Sequence, residues 1–511
     1  MYPGPAESTS RSVRDERTHR SVSVVWLKRD LRLKDHEPLC AAIARGQPIL
    51  MIYCFEPTVT RAPDYSELHL RFIAESLDEM NETLQPFRAQ VWVFYREITE
   101  VLKDLKSTLG VFELYSHEET GNLLTYARDR QVKRLCKSLD VTWRETPHSG
   151  VIRGLKNRAE WDRRWLSYME RSLADPPLNA ARWCQLDAEW YTAHKGTPPI
   201  VHATEHRWLE AEVQRGGTAE ARLLCRSFFT QRIWSYQRHI SKPTESRTSC
   251  SRLSPYLAWG NISTRQLYHT YHRFLKSKKP SRAHQAFISR LWWRSHFIQK
   301  LESEPELEKE NMNRAFNEIR TQENMDFIRA WETGHTGYPL VDATMRCLIH
   351  TGYLNFRMRA MLVSFLCHHL WQDWRSGALH LARHFLDYEP GIHYPQLQMQ
   401  ASSTGVNAVR VYNPVKQAQD HDPEGVFIRR WIPELACLPT PLVHQPWTTL
   451  PMDLAMYHDH QPLKYPQPIV DLSVSGSHAR RTLWSIKRSE AARQANIEIL
   501  KRHVSTRRKS I

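Results

Sequence analysis

Asp387 and Glu389 stand one residue apart at the head of the stretch DYEPGIHYPQLQMQASSTG, which continues through Tyr388, His393, Tyr394 and three glutamines. Paired acids can share acid–base work or hold cations. Yet the stretch contains no nucleophile motif and no metal-ligand motif, and the whole chain lacks G-x-S-x-G, H-E-x-x-H and P-loop signatures. What chemistry these carboxylates serve is therefore the first question the sequence poses.

A second constellation interleaves cations with aromatics: Arg226, Arg232, Trp234, Tyr236 and Arg238, then Arg290, Trp292, Trp293 and Arg294, then Arg357 and Arg359. Phosphates favour Arg and Lys, and unstacked bases favour flat apolar faces, so the set suits nucleic acid with an exposed or flipped base. Core aromatics beside a solvated helix face would read the same way. In CSRLSPYLAWGNIS, Ser251 and Ser254 precede a helix-like run, either to help its first N–H groups hold a phosphate or merely to cap it. His380 and His384, one helical turn apart, and the Tyr457–His460 run have no clear third ligand, and no metal is expected.

These residues need elements to position them. The runs SVVWL, PILMIYCF, QVWVFY, VFELYS and VTWRE alternate with helix-like segments, predicting a doubly wound parallel sheet in an α/β domain over 21–147. Its first turn, KRDLRLKDH, lacks the dinucleotide glycines; Lys28, Arg29, Asp30 and Arg32 suit either a ligand contact or an Arg–Asp clasp. Residues 148–215 read as an interdomain connector and 216–475 as a mainly α-helical domain. Residues 1–20 read as a disordered tail. Residues 476–511 read as a basic, partly helical tail, for nucleic acid, for nuclear addressing or simply solvated.

The 511 residues exceed what one small core needs, and 71 Lys and Arg against 55 Asp and Glu give +16, which favours a polyanionic partner. No apolar run approaches a membrane span, and nine scattered cysteines without C-x-x-C suit reduced thiols. A cytoplasmic protein, nuclear if eukaryotic, is expected, with a monomer favoured.

Taken together, VVWLKRDLRLKDHEPL, CSRLSPYLAWGNIS, SRLWWRSHF, TGYPLVDATMR, LVSFL with DWRSG, SSTG with YNPVKQ, and DPEGVFIRRWIPEL resemble, in order, the DNA photolyase and cryptochrome family. The resemblance implies a helical C-terminal domain binding FAD in a folded conformation, and an α/β domain able to carry an antenna chromophore of folate or deazaflavin type. It places Tyr236, Ser251, Leu253 and Ser254 at the FAD phosphates and linker, and Arg294, Arg359, Asp387 and Glu389 beside the flavin ring. His393 or Tyr394 falls at the flavin N5 neighbour, usually Asn. It implies a light-dependent lyase that splits a flipped cyclobutane pyrimidine dimer in UV-damaged DNA by electron transfer, which needs no acid–base dyad. The alternative is a blue-light photoreceptor without repair activity. A third reading is a nucleic-acid-binding protein that has lost the flavin.

Several positions depart from the pattern. Trp374 matches the middle of the family's three electron-carrying tryptophans, but Leu397 or Gln398 stands at the flavin-proximal position and the outer one falls near Thr321. Tyr388, Tyr394 and Trp371 are the candidates for a substitute path with Trp374. Trp293 keeps the place that stacks on the dimer, and Arg290 and Arg357 complete the expected DNA contacts. Arg290, however, stands where Glu is common, and Ala360 where Met is. Asn355, Phe356 and Ala360 replace the histidines associated with the (6-4) lesion, which disfavours that repair type.

Overall fold

The computed structural model describes residues 21–199, 208–275, 279–458 and 461–504. The expected tail 1–20, the end of the basic tail from 505, and Asp459 and His460 lie outside them.

Five strands form one parallel sheet in the order β3-β2-β1-β4-β5: β1 (Val22–Leu27), β2 (Ile49–Cys54), β3 (Val91–Phe94), β4 (Phe112–His117) and β5 (Thr142–Thr146). Registers such as Val24 opposite Leu50 and Leu114 leave β1 central. Side chains alternate along a strand, so Val22, Val24 and Trp26 pack on one face with helices α3 (Ile98–Leu109) and α4 (Leu123–Ser138). Val25 and Leu27 pack on the other with α1 (Glu37–Ala44) and α2 (Glu67–Leu84). The α/β expectation is met. The order reverses between β1 and β4, so the turn after β1 sits at the crevice where such sheets admit ligands.

That turn is occupied by its own clasp. Lys28 N–H donates to Asp30 Oδ1 at 2.7 Å and His117 Nδ1 approaches Oδ2 at 2.6 Å. Burial opposes ionisation of Asp30, but the His117 and His36 contacts outweigh it and hold the carboxyl well below the usual range. Of the two readings of KRDLRLKDH, the clasp describes Asp30, with histidines where arginine was expected. Arg32 instead donates to the Asp35 carbonyl and, across the domain seam, to Gly260 O at 3.1 Å.

Within 148–215, α5 (Trp161–Glu170) buries Trp161, Trp165 and Met169 in the core shared by the sheet and the helices. The helical part contains α6 (Ile233–His239), α7 (Ser254–Ala258), α8 (Arg282–Ser303), α9 (Pro339–Thr351), α10 (Phe356–Ser364), α11 (Trp374–His384) and α12 (Pro390–Gln400). Several quoted motifs prove to be local braces. Asp342 accepts from Thr336 N–H and Gly337 N–H, Asp422 from Phe427 and Ile428 N–H, and Asp373 caps α11.

The segment expected as a basic, partly helical tail from 476 is helical as far as His503, in α13 (Leu472–Arg488) and α14 (Glu490–His503), and these helices are docked rather than simply solvated. Ala479 and Leu483, one turn apart, and Ala492, Ile499 and His503 supply a buried face, while Arg480, Arg481 and Lys501 stay outside. Among the described residues no helix is long and apolar enough to cross a membrane.

Candidate functional site

The DYEPG stretch lies where α8, α10, α11 and α12 converge. Pro390 starts α12, and a Cβ on Gly391 would stand 2.6 Å from Ile298 Cα, so this glycine lets α12 seat directly on α8. Two ion pairs follow. Arg359 Nη1 and Nη2 donate to Asp387 Oδ1 and Oδ2 at 2.9 and 2.8 Å, a planar two-pronged match, and the guanidinium lies 4.0 Å over the Phe385 ring. Arg294 Nη2 donates to Glu389 Oε2 at 2.8 Å, with both side chains buried.

The second pair is incomplete. Arg294 Nη1 and Glu389 Oε1 are buried with no protein partner, and so is Asn355 Oδ1 at the start of α10. Buried polar atoms are ordinarily paired, so these three mark surfaces meant for a guest. A donor and an acceptor side by side suit the imide edge or hydroxyls of a flavin dinucleotide. The residues present fit that group.

His393, on α12, turns its Nε2 to Ala378 O at 2.9 Å. Burial pushes its imidazole down to about 4, so the ring is neutral with Nε2–H donating and Nδ1 left as an acceptor. Tyr394 projects from the same helix, and its hydroxyl lies 3.4 Å from that of Tyr388, which donates to Asp64 Oδ2 at 2.8 Å. Sequence reasoning missed Asp64, and no local signal marks it because its partner is 324 residues away.

Tyr236, on α6, is buried against Phe228 and Phe287, and burial pushes its hydroxyl up to about 12. Leu253 is buried, whereas Ser251 and Ser254 are half-buried and their hydroxyls make no hydrogen bond among the described residues. Ser254 does not cap α7 through its side chain, so the simple capping alternative does not describe it. Asn355 Nδ2 donates to Ile240 O at 3.0 Å and joins α10 to the end of α6.

At the outer rim Trp293 is 38 % exposed and Phe356 48 % exposed, and Arg290 is exposed on α8 one turn before Arg294. Arg357 is half-buried beside Tyr412. Farther along α6, Trp234 is 65 % exposed. Trp292 is not part of this rim: its Nε1 donates to Asp162 at 2.7 Å.

Trp374 is buried, donates from Nε1 to Asn311 at 2.8 Å and lies 6.3 Å from Tyr394, ring to ring. Tyr394 is thus beside it, and Tyr388 lies behind Tyr394. Trp371 is not beside Trp374: its ring contacts are His478 and the Arg320 guanidinium. At the two candidate proximal positions Leu397 is core, and Gln398 accepts from Met312 N–H at 2.6 Å and donates to Leu307 O and Glu310 O. An indole could not replace that three-way brace. Thr321 is exposed.

Of the metal candidates, His380 Nδ1 lies 3.7 Å from Glu332, and the His380 and His384 rings lie 4.4 Å apart. Asp30, His36 and His117 form a tighter group. Leu39 N–H donates to His36 Nδ1, so the nitrogen facing Asp30 carries the proton of the neutral ring. That favours a hydrogen-bonded cluster over a metal. A separate cavity of about 40 Å³ at the domain seam is lined by Trp26, Lys28, Arg29, Glu56, Tyr65, Glu119, Arg128 and Trp259. Its charges pair among themselves, Arg128 with Glu56 and Glu119, and Lys28 with neighbouring Asp129. It has room for a few waters and not for a fused-ring chromophore.

Comparison with known proteins agrees with this geometry. Residues 23–153 match the family model described as DNA photolyase, and residues 287–485 the model described as the FAD binding domain of DNA photolyase. A cryptochrome DASH of Gloeobacter violaceus is 28 % identical over 89 % of this chain and 94 % of its own. A deoxyribodipyrimidine photo-lyase of Vibrio cholerae is 28 % identical over 85 % and 95 %. The crystal structure of a class III photolyase from Agrobacterium tumefaciens superposes with a TM-score of 0.79 at 24 % identity, covering 94 % of this chain and all of that one. The unpartnered Arg294 and Glu389 atoms therefore lie in an FAD-binding domain, and the chain belongs to the DNA photolyase and cryptochrome family.

Proposed function

We propose that the protein is a light-dependent, FAD-containing photolyase acting on cyclobutane pyrimidine dimers in DNA. The observation that carries this reading is the two ion pairs at the start of α12, one complete and one with a donor and an acceptor left over, near exposed aromatic and cationic side chains on α8 and α10.

FAD, when bound, supplies the light-excited electron, so the chain's own work is holding, insulating and steering. Arg294 and Glu389 offer Nη1–H and Oε1 to the flavin, and Tyr236, Leu253, Ser251 and Ser254 border its linker and phosphates. Asp387 fixes Arg359 so that a cation stays beside the ring, which favours negative charge there. His393 gives a neutral acceptor, and with Tyr394 it closes the site against water. Trp293 offers a face for an unstacked base, and Arg290 and Arg357 meet backbone phosphates. Trp374 and Tyr394, with Tyr388 behind, form the aromatic route by which the flavin is recharged. An antenna held at the domain seam would require the cavity there to open.

A photoreceptor without repair activity is the second reading, favoured by the arginine at position 290 and the rerouted aromatics. One experiment separates them: a dimer-bearing oligonucleotide incubated with reduced, flavin-loaded protein in light and in darkness. Light-dependent loss of dimers is expected, and intact dimers despite bound reduced flavin would sink the repair reading.

A further inference from the structure

On the side of α8 turned away from Glu389, His296 and Lys300 lie one turn apart and face the connector and the end of α14. Arg158, 1 % exposed, donates from Nη2 to the His296 carbonyl at 3.2 Å and lies 5.0 Å over the Trp161 ring, while its Nε and Nη1 have no partner. The Lys300 ammonium is buried 5.3 Å from the Phe297 ring and makes no hydrogen bond among the described residues. His296 is walled by Trp292 at 4.8 Å and Trp161 at 5.8 Å, with Nδ1 unpartnered. His503, fully buried, spends Nε2 on Glu304 at 2.7 Å and leaves Nδ1 over.

The nearby acids are already engaged. Glu304 is shared by His503, Arg314 and Arg502. Asp162, within electrostatic reach of Arg158, accepts from Trp292. Arg158 Nε and Nη1 and two imidazole nitrogens are thus buried without a partner, and among the described residues no carboxylate pairs with Arg158 or Lys300, an arrangement that costs on the order of several kcal/mol per uncompensated ion. Burial pushes Lys300 down to about 8, with Arg158 adding to it, and pushes Arg158 down to about 9.

We infer that Arg158, Lys300, His296 and His503 form a binding site for a small free oxyanion of the sulfate or phosphate class, separate from the flavin site. Such an ion would take hydrogen bonds from Arg158 Nε or Nη1, Lys300 Nζ and His296 Nδ1, while His503, its Nε2–H committed to Glu304, walls the site. It would tie the connector, α8 and the C-terminal helix to one another. The depth of Arg158 favours a free ion over a phosphate of a DNA backbone.

Sulfate is the probe, because it stays doubly charged across the working pH range. In full-length flavin-loaded protein, titrated by calorimetry and thermal unfolding against chloride at equal ionic strength, saturable binding in the millimolar range or tighter is expected. Arg158→Met and Lys300→Met should each weaken it at least tenfold. Lys300→Met removes an unpaired buried charge, so it should fold, with flavin content as the check. Wild-type affinity should fall several-fold as pH rises through about 8, where Lys300 deprotonates first and Arg158 follows near 9; the other charged or titratable groups facing the site are His296, His503, Glu304, Asp162, Arg314 and Arg502. A linear rise in stability equal in wild type and Lys300→Met would be general salting-out and would mean that water fills the gap. That result, a flat pH profile, or one-for-one competition between sulfate and an oligonucleotide would each overturn the assignment.

Discussion

At the scale of single residues, the two ion pairs of the proposed flavin site answer differently to substitution. Asp387→Asn leaves the Arg359 guanidinium without its counter-charge and should cost about 3 kcal/mol in chemical denaturation as well as most of the bound flavin. Glu389→Gln keeps an acceptor toward Arg294, so it should lower the flavin-to-protein absorbance ratio with under about 1.5 kcal/mol lost. Trp374→Phe should slow flavin photoreduction at least tenfold, and Tyr394→Phe should slow it less; a Trp374→Phe protein as fast as wild type would take Trp374 off the route. Asp387, Glu389, Arg294 and Arg359 were legible in the sequence because their motifs are local and in order. Gln398 was legible only as a missing tryptophan. Its role as a brace depends on the 307–312 loop, which no local pattern joins to it.

Elements were read well where periodicity is strong. The five strands and the long helices follow from alternation and turn spacing, and the helical character of the basic C-terminal segment was legible too, whereas its docking was obscured because its many basic residues mask a narrow buried stripe of Ala479, Leu483, Ala492 and Ile499. At this scale the contact of α8 with α12 is the sensitive joint. Gly391→Ala would force a Cβ to within 2.6 Å of Ile298 Cα, and a loss of at least about 2 kcal/mol with reduced flavin uptake is expected. Between α2 and α12, buried His69 and His393 set the response to acid. Burial lowers each to about 4, below the ordinary 6.5 of the unfolded chain. Stability from these two groups is therefore complete above pH 6.5 and is lost as pH falls toward 4, on the order of 3 kcal/mol each. Replacing His69 with Gln should flatten the fall of the unfolding midpoint over that window.

For the whole molecule, a charge of +16 with exposed Arg290 and Trp293 at the rim predicts that affinity for damaged duplex falls at least tenfold from about 50 to about 200 mM salt. A flat dependence in an electrophoretic or anisotropy assay would deny a phosphate-tracking surface. The sequence indicated this surface through its charge and through interleaved residues such as Arg290, Trp293 and Arg357, but which cations share a face is decided by how α6, α8 and α10 pack.

The seam between the sheet and the helices carries a consequence of its own. Arg29 donates to Tyr388 O at 2.8 Å, Trp259 Nε1 to Leu386 O at 2.8 Å, and Gly260 abuts the Arg29 backbone so closely that no Cβ would fit. Both backbone neighbours of Asp387 are thus gripped, one of them by the turn after β1. The sheet domain acts as a jig for a carboxylate in the other half of the molecule. Loosening the sheet domain would therefore misplace that carboxylate even with every helix of the other half intact.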